Sequence, residues 1–227
     1  MNDNQQSYRK VLNATSLFGG VQVINIIISL IRSKVIALLI GPFGMGISNL
    51  LLTTMELING LTNLGLERSA VKDISLANTN SNSKSVAITI SVLKKLVWLT
   101  ITIGVILMIV LSPWLSEIAF GNKDYTISFI WISIALLFKQ LSSSQLAILQ
   151  GLRKLKSLAK ANLLGNFIGL LITLPLYYFY KIDAIVPAII IATFMSFVFT
   201  YYYSQKLDIE SVTISRKEAV SEGKGMI

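Results

Sequence analysis

Four charged residues lie inside long apolar stretches of the sequence. Arg32, Lys34 and Lys139 are basic, and Glu56 is acidic. Ionisable side chains are expensive in hydrocarbon, so where they occur they usually serve a substrate or ion path. The surplus of positive charge favours an anionic ligand, and an arginine can hold phosphate with a planar fork of donors. These residues therefore predict an anion-binding cavity inside a membrane protein.

Several polar residues lie on the same helix faces as the charged residues. At about 100° per residue, Gln22 and Asn25 share the face of Arg32, whereas Lys34 points about 160° away from it. Asn63 shares the face of Glu56 by the same periodicity. A further stripe of small and polar residues follows later in the chain. The predicted cavity residues are Arg32, Lys139, Glu56, Gln22, Asn25, Lys34, Asn63 and Asn166.

Several of these residues also have a purely structural interpretation. Glu56 could neutralise Arg32 as a buried pair, because both descend from one predicted turn into the middle of the membrane. Lys34 could extend to the membrane surface, since it lies seven residues from that turn. The small and polar residues around Asn166 could serve helix packing alone. Lys139 lies deep in its span and is expected to face the cavity.

Six apolar stretches carry these residues, and each is long enough to cross the ~30 Å hydrocarbon core as a helix of about 20 residues. The predicted spans are residues 17–40, 47–66, 96–113, 126–149, 158–180 and 184–203. They form a membrane domain of residues 14–204, after a segment of residues 1–13 and before a tail of residues 205–227. Gly41-Pro42-Phe43-Gly44 predicts a turn, and residues 78–83 predict a loop. The predicted fold class is all-α and polytopic.

Charge sorting predicts the orientation of the spans. Charged residues make up only 14% of the chain, against about 25% in soluble domains. Of the 20 Lys and Arg, three lie deep inside spans, and Lys123 and Lys181 lie on one side, which leaves 15, including Lys160 at the start of its span, for the side of the N-terminus. The positive-inside rule therefore predicts a cytoplasmic N-terminus. The net charge of +9 sits at the ends of apolar segments, so it does not predict nucleic-acid binding.

The absence of cysteine and histidine limits the possible chemistry. Thiol nucleophiles, imidazole bases and zinc sites that use these residues are excluded. A membrane glycosyltransferase would need clustered acidic residues, and Asp73, Glu117, Asp124 and Asp183 occur singly. Neither an enzymatic activity nor a cofactor or metal is predicted.

Several motifs make the chain resemble a known family. They are Ile31-Arg32-Ser33-Lys34, Leu39-Ile40-Gly41-Pro42-Phe43-Gly44, Leu64-Gly65-Leu66-Glu67-Arg68 and Gln150-Gly151-Leu152-Arg153-Lys154. From Tyr8 to Leu207 the sequence is similar to the polysaccharide flippases, which include the O-antigen translocases of lipopolysaccharide synthesis. These belong to the multidrug/oligosaccharidyl-lipid/polysaccharide exporter superfamily.

The resemblance implies one six-helix lobe of a two-lobed transporter in the bacterial inner membrane. The implied substrate is an undecaprenyl-pyrophosphate-linked oligosaccharide, with its sugar in the cavity and its lipid tail outside. Arg32 is then expected to contact the pyrophosphate or an acidic sugar. A missing C-terminal lobe and a polysaccharide polymerase are the expected protein partners, and membrane lipid surrounds the chain. The sequence is accordingly expected to be incomplete, ending before a seventh helix.

Two other functions stay open at this point. A drug/cation antiporter of the same superfamily would prefer an acidic cavity, whereas three of the four charged residues inside the spans are basic. An inactive or structural membrane remnant would also account for six spans without a second lobe.

Overall fold

The longest helix of the protein is broken at Gly41. The computed structural model describes the backbone of residues 3–79 and 83–206, and the side chains of residues 19–79 and 84–206. Helix α1 spans Asp3–Asn63, and Gly41 within it has φ 72° and ψ 178°. Glycine alone adopts this region readily, and Pro42, which has no N–H, suits the first position of the helix that follows. The predicted turn at this site is confirmed.

The break lays the two arms of α1, residues 19–40 and 42–63, beside each other. Arg32 on the first arm and Glu56 on the second line one cavity, although they would lie about 36 Å apart along an unbroken helix. The turn is tightly packed, since a Cβ at Gly44 would fall 2.8 Å from the Cβ of Ile40. Glycine at both positions therefore makes the hairpin possible.

Within the described part of the chain, six further helices and one short 3-10 helix follow α1. They are α2 (Leu66–Thr79), α3 (Ser83–Val110), α4 (Ser112–Phe120), α5 (Thr126–Gly151), α6 (Leu155–Tyr180), the 3-10 helix Lys181–Ala184 and α7 (Ile185–Gln205). No strand occurs in residues 3–79 and 83–206. The chain is therefore all-α over the residues that the structure describes.

Among the described residues, four stretches of helix are long and apolar enough to cross a membrane. They are Gly19–Asn63, Lys84–Val110, Thr126–Gly151 and Leu155–Gln205. The first and last have 45 and 51 residues, about twice the 20 that one crossing takes. Because they break at Gly41 and at Lys181–Ala184, each is long enough for two crossings. The described helices therefore have the length and composition of an all-α membrane protein.

Two helices occupy places where the sequence predicted only connections. α2 buries Leu66, Ala70, Ile74 and Ala77 along one face, which packs on α3 and α5. α4 ends at Phe120, and the next residue, Gly121, has a left-handed φ of 73° and donates its N–H to the Glu117 carbonyl.

Parts of the predicted connections lie outside the described residues. These parts are residues 80–82 of the predicted loop and residues 207–227 of the predicted tail. α2 continues to Thr79 and α3 begins at Ser83, so residues 78, 79 and 83 of the predicted loop are helical. The backbone of residues 3–13 already belongs to α1.

The helices that surround the cavity approach each other through small residues. A Cβ on Gly165 of α6 would lie 3.0 Å from the Cα of Ser196 on α7, and one on Gly169 would lie 3.5 Å from the Cα of Ala192. Such residues allow close helix packing in membranes. The small and polar residues predicted around Asn166 therefore have two roles. Gly169 allows close helix packing, whereas Asn166 lines the cavity.

Candidate functional site

A cavity of about 470 Å³ lies between the two arms of α1 and helices α5, α6 and α7. Its size is within the usual range for ligand sites. The polar and charged side chains on its wall are Arg32, Ser33, Ser48, Asn49, Glu56, Lys139, Ser142, Ser143, Asn166, Tyr177, Thr193 and Ser196. Two cations and one carboxylate leave the wall with one net positive charge. The predicted polar cavity between the helices is present.

Arg32 is the cation of the cavity without a carboxylate partner. It lies on the first arm of α1, is partly buried and lines the cavity. Within the side chains that the structure describes, it makes neither a hydrogen bond nor an ion pair. The buried Tyr177 of α6 lies close enough to feel its charge. The guanidinium therefore keeps its donors available for a ligand.

Lys139 and Glu56 form an ion pair across the cavity wall, between α5 and the second arm of α1. The exposed fractions of their side chains are 31% and 49%, so both ends of the pair face open space. The hypothesis that Glu56 neutralises Arg32 is wrong, because the carboxylate binds Lys139 instead. Lys139 lies on the cavity wall.

An amide pair holds the first arm of α1 against α6. Asn166 donates a hydrogen bond through Nδ2 to Oδ1 of Asn25 at 3.3 Å. Asn166 lines the cavity, whereas Asn25 is not among the lining residues and contacts the site only through Asn166. Interhelical amide bonds of this kind also stabilise packing in membranes.

Three further residues of the predicted set, Gln22, Lys34 and Asn63, are not among those that line this cavity. Gln22 is exposed and lies on no part of the wall. Lys34 is exposed too, because its position on the helix turns it away from the face of Arg32. Asn63 donates through Nδ2 to Oε1 of Glu67 at 2.8 Å, beside the turn that leads into α2.

The sequence interpretation missed the contribution of α7. Thr193 and Ser196 line the cavity, and Ser196 hydrogen-bonds Ser142 of α5 at 3.0 Å. Thr200 donates to the same Ser142 at 3.3 Å. The sequence did contain a pattern that indicates this polar face. Residues 193, 196, 200 and 204 are all serine or threonine, and their spacing places them on one face of the helix.

A second cavity of about 370 Å³ adjoins the first one. The two share Ser143 and Leu146, and the second continues to Glu67, Arg68 and Gln150. The polar path thus runs from the centre of the bundle towards α2. Most of the exposed basic side chains lie at that end, among them those of the α5–α6 connection.

The geometry suits binding of an anion rather than metal chemistry. Among the described residues, no group of three or more Asp, Glu, His or Cys could hold a metal ion. Glu56 is the single carboxylate among the residues that line the main cavity, and it is already ion-paired. What the wall offers a ligand is one free guanidinium, a lysine held by a carboxylate, and hydroxyl and amide groups.

Comparison with known proteins identifies one family. The family described as polysaccharide biosynthesis protein matches residues 11–222. No curated protein and no solved structure matches the chain.

Proposed function

The chain belongs to the polysaccharide biosynthesis protein family, and from this premise we propose that it translocates a lipid-linked oligosaccharide across the bacterial inner membrane. The cargo is an undecaprenyl-pyrophosphate-linked repeat unit of O-antigen or another surface polysaccharide. The protein acts as a transporter and not as an enzyme. A role in polysaccharide biosynthesis or export follows from the family, and the step of translocation is our proposal.

One observation carries this proposal: Arg32 faces a membrane-embedded cavity without a carboxylate partner among the described residues. A charge left unpaired in such a place is costly, so it is expected to meet a ligand. A guanidinium binds phosphate oxygens with two parallel hydrogen bonds. The pyrophosphate of a lipid-linked sugar supplies such oxygens, and the hydroxyl and amide groups on the wall suit the sugar.

The charge of the cavity argues against a drug/cation antiporter. Such a protein would need an acidic site, whereas the main cavity has two cations and one ion-paired carboxylate. A cationic drug placed there would be repelled by Arg32, and no free carboxylate on the described wall would offset that repulsion. Export of an anionic substrate is therefore the better interpretation of the same wall.

The orientation follows from the loop charges. We place the N-terminus and the α2 end in the cytoplasm, because that side holds 15 of the 20 basic residues. Single cysteines introduced at Asn122 and Ser157 should then react with an impermeant reagent from outside at Asn122 and not at Ser157. The reverse pattern would refute this orientation.

A second helical bundle is the proposed partner of this one. Thr53 and Gly60 continue the polar face of Glu56, and both are exposed. Polar groups that face lipid cost several kcal/mol each, as an order of magnitude, so a covered or wet surface is expected there. A two-lobed arrangement, in which the second bundle covers this face, would satisfy them and allow alternating access.

Substitution of Arg32 tests the function. In the native host, Arg32→Ala should abolish surface polysaccharide, and Arg32→Lys should reduce it because the bidentate geometry is lost. Lys34→Ala is the matched control, since it removes a basic residue of the same helix that lies off the cavity; it should leave export normal. Quantitative staining of the surface polymer, with immunoblotting to equalise protein levels, gives the readout. Normal export with Arg32→Ala would refute the assignment.

A further inference from the structure

We propose that the Lys139–Glu56 ion pair determines how much anionic charge a ligand needs to fill the cavity. Glu56 acts as a tethered competitor that occupies Lys139 until a second anionic group of the ligand replaces it. The inference rests on the proposed function, because it concerns the same cavity. It assigns the two residues a part in specificity that goes beyond the contact made by Arg32.

The geometry makes the exchange possible. Lys139 and Glu56 come from different helices, and both side chains border the cavity with 31% and 49% of their surface exposed. A ligand can therefore reach the ammonium group without unfolding either helix. Glu56 can turn into open space when it is released, so its carboxylate is not left buried and unpaired.

Among the described residues that line the cavity, no other charged group competes for this lysine. The first arm of α1 contributes Arg32 and α6 contributes Tyr177, whereas the residues of α7 that line the cavity do not ionise. Glu67 lies in the adjoining cavity, where it accepts a hydrogen bond from Asn63. Lys139 is thus either held by Glu56 or free for the ligand.

Two classes of ligand follow from this arrangement. A ligand with one anionic group binds Arg32, the cation that is already free, and leaves the ion pair intact. A ligand with two adjacent anionic groups, such as a diphosphate, places one at Arg32 and the other at Lys139. Phosphate carries more charge and more acceptor oxygens than a carboxylate, which favours the replacement of Glu56. Monophosphates and small anions gain nothing from Lys139.

The test compares two short water-soluble lipids, geranylgeranyl monophosphate and geranylgeranyl diphosphate, binding to the purified full chain in detergent. Lys139→Met should weaken binding of the diphosphate about tenfold, equivalent to 1.4 kcal/mol, and leave that of the monophosphate unchanged. Glu56→Gln should tighten diphosphate binding by a similar factor. That gain should vanish in the double variant Glu56→Gln/Lys139→Met, because the competitor acts only through Lys139. Lys34→Gln, a basic residue off the cavity, controls for general charge.

Each result separates this inference from the proposed function. If the unmodified protein binds neither lipid, both fail. If it binds both lipids, but Lys139→Met weakens them equally or Glu56→Gln weakens the diphosphate, only the role of the ion pair is refuted. Should Glu56→Gln fail to fold because Lys139 loses its partner, the double variant decides, since it removes both charges of the pair. It should then bind both lipids alike, and a retained preference for the diphosphate would overturn the proposal.

Discussion

The two arms of α1 have similar compositions and very different surroundings. Both are apolar helices with a polar face that carries one charged residue on the cavity wall. Yet no residue from 19 to 35 of the first arm is buried, whereas the second arm buries Leu51, Met55 and Ile58 in the main apolar cluster. The first arm joins that cluster only near the turn, through Ile36 and Ile40.

This difference assigns distinct roles to the two walls of the cavity. Glu56 stands on a helix fixed by the core and is tied to α5 through Lys139. Arg32 stands on a helix held by the turn at Gly41 and, farther along, by the bond between Asn25 and Asn166. Segments with few buried contacts open most easily. The arm with the free arginine is therefore the wall best suited to move when a ligand enters.

The comparison depends on the hairpin, so the largest expected effect is at Gly41. Gly41→Ala should destabilise the protein by about 3 kcal/mol, because an L-residue is strained at this φ and ψ. Gly46→Ala is the matched control: a Cβ meets no atom within 4 Å at either position, and Gly46 has ordinary helical geometry. The control should be neutral or slightly stabilising. Thermal midpoints in detergent measure both variants, and equal midpoints would contradict the turn described here.

The fold was predictable where the signal is local. Apolar length alone predicts the crossings, and Gly41-Pro42 marks the turn because a glycine and a proline together stop one helix and start another. Helix α2 was missed because it lies outside the long apolar runs. Its pattern was readable, since Leu66, Ala70 and Ile74 recur every fourth residue.

The site was predictable only in part. A charged residue in an apolar span indicates a functional position, but it does not indicate which residue or ligand the charge contacts. Arg32, Glu56 and Lys139 all line the cavity. The pairing of Glu56 with Lys139 rather than Arg32 depends on how α5 is rotated and placed against α1, which no local pattern encodes. Thr193 and Ser196 were missed because isolated hydroxyl residues give a weak signal in so apolar a helix.

A smaller loss of stability should show directly that the two arms are packed differently. Leu51 of the second arm is 0% exposed and Leu30 of the first arm is 65% exposed, so the same change to alanine tests both environments. Leu51→Ala should cost about 2 kcal/mol through the space it leaves in the core. Leu30→Ala should cost far less, because a side chain that faces lipid loses little packing, and lipid tails are as apolar as leucine. Unfolding followed by the fluorescence of the three tryptophans compares the two variants. Equal losses would mean that the first arm is packed as firmly as the second, and the movable wall would have to be sought elsewhere.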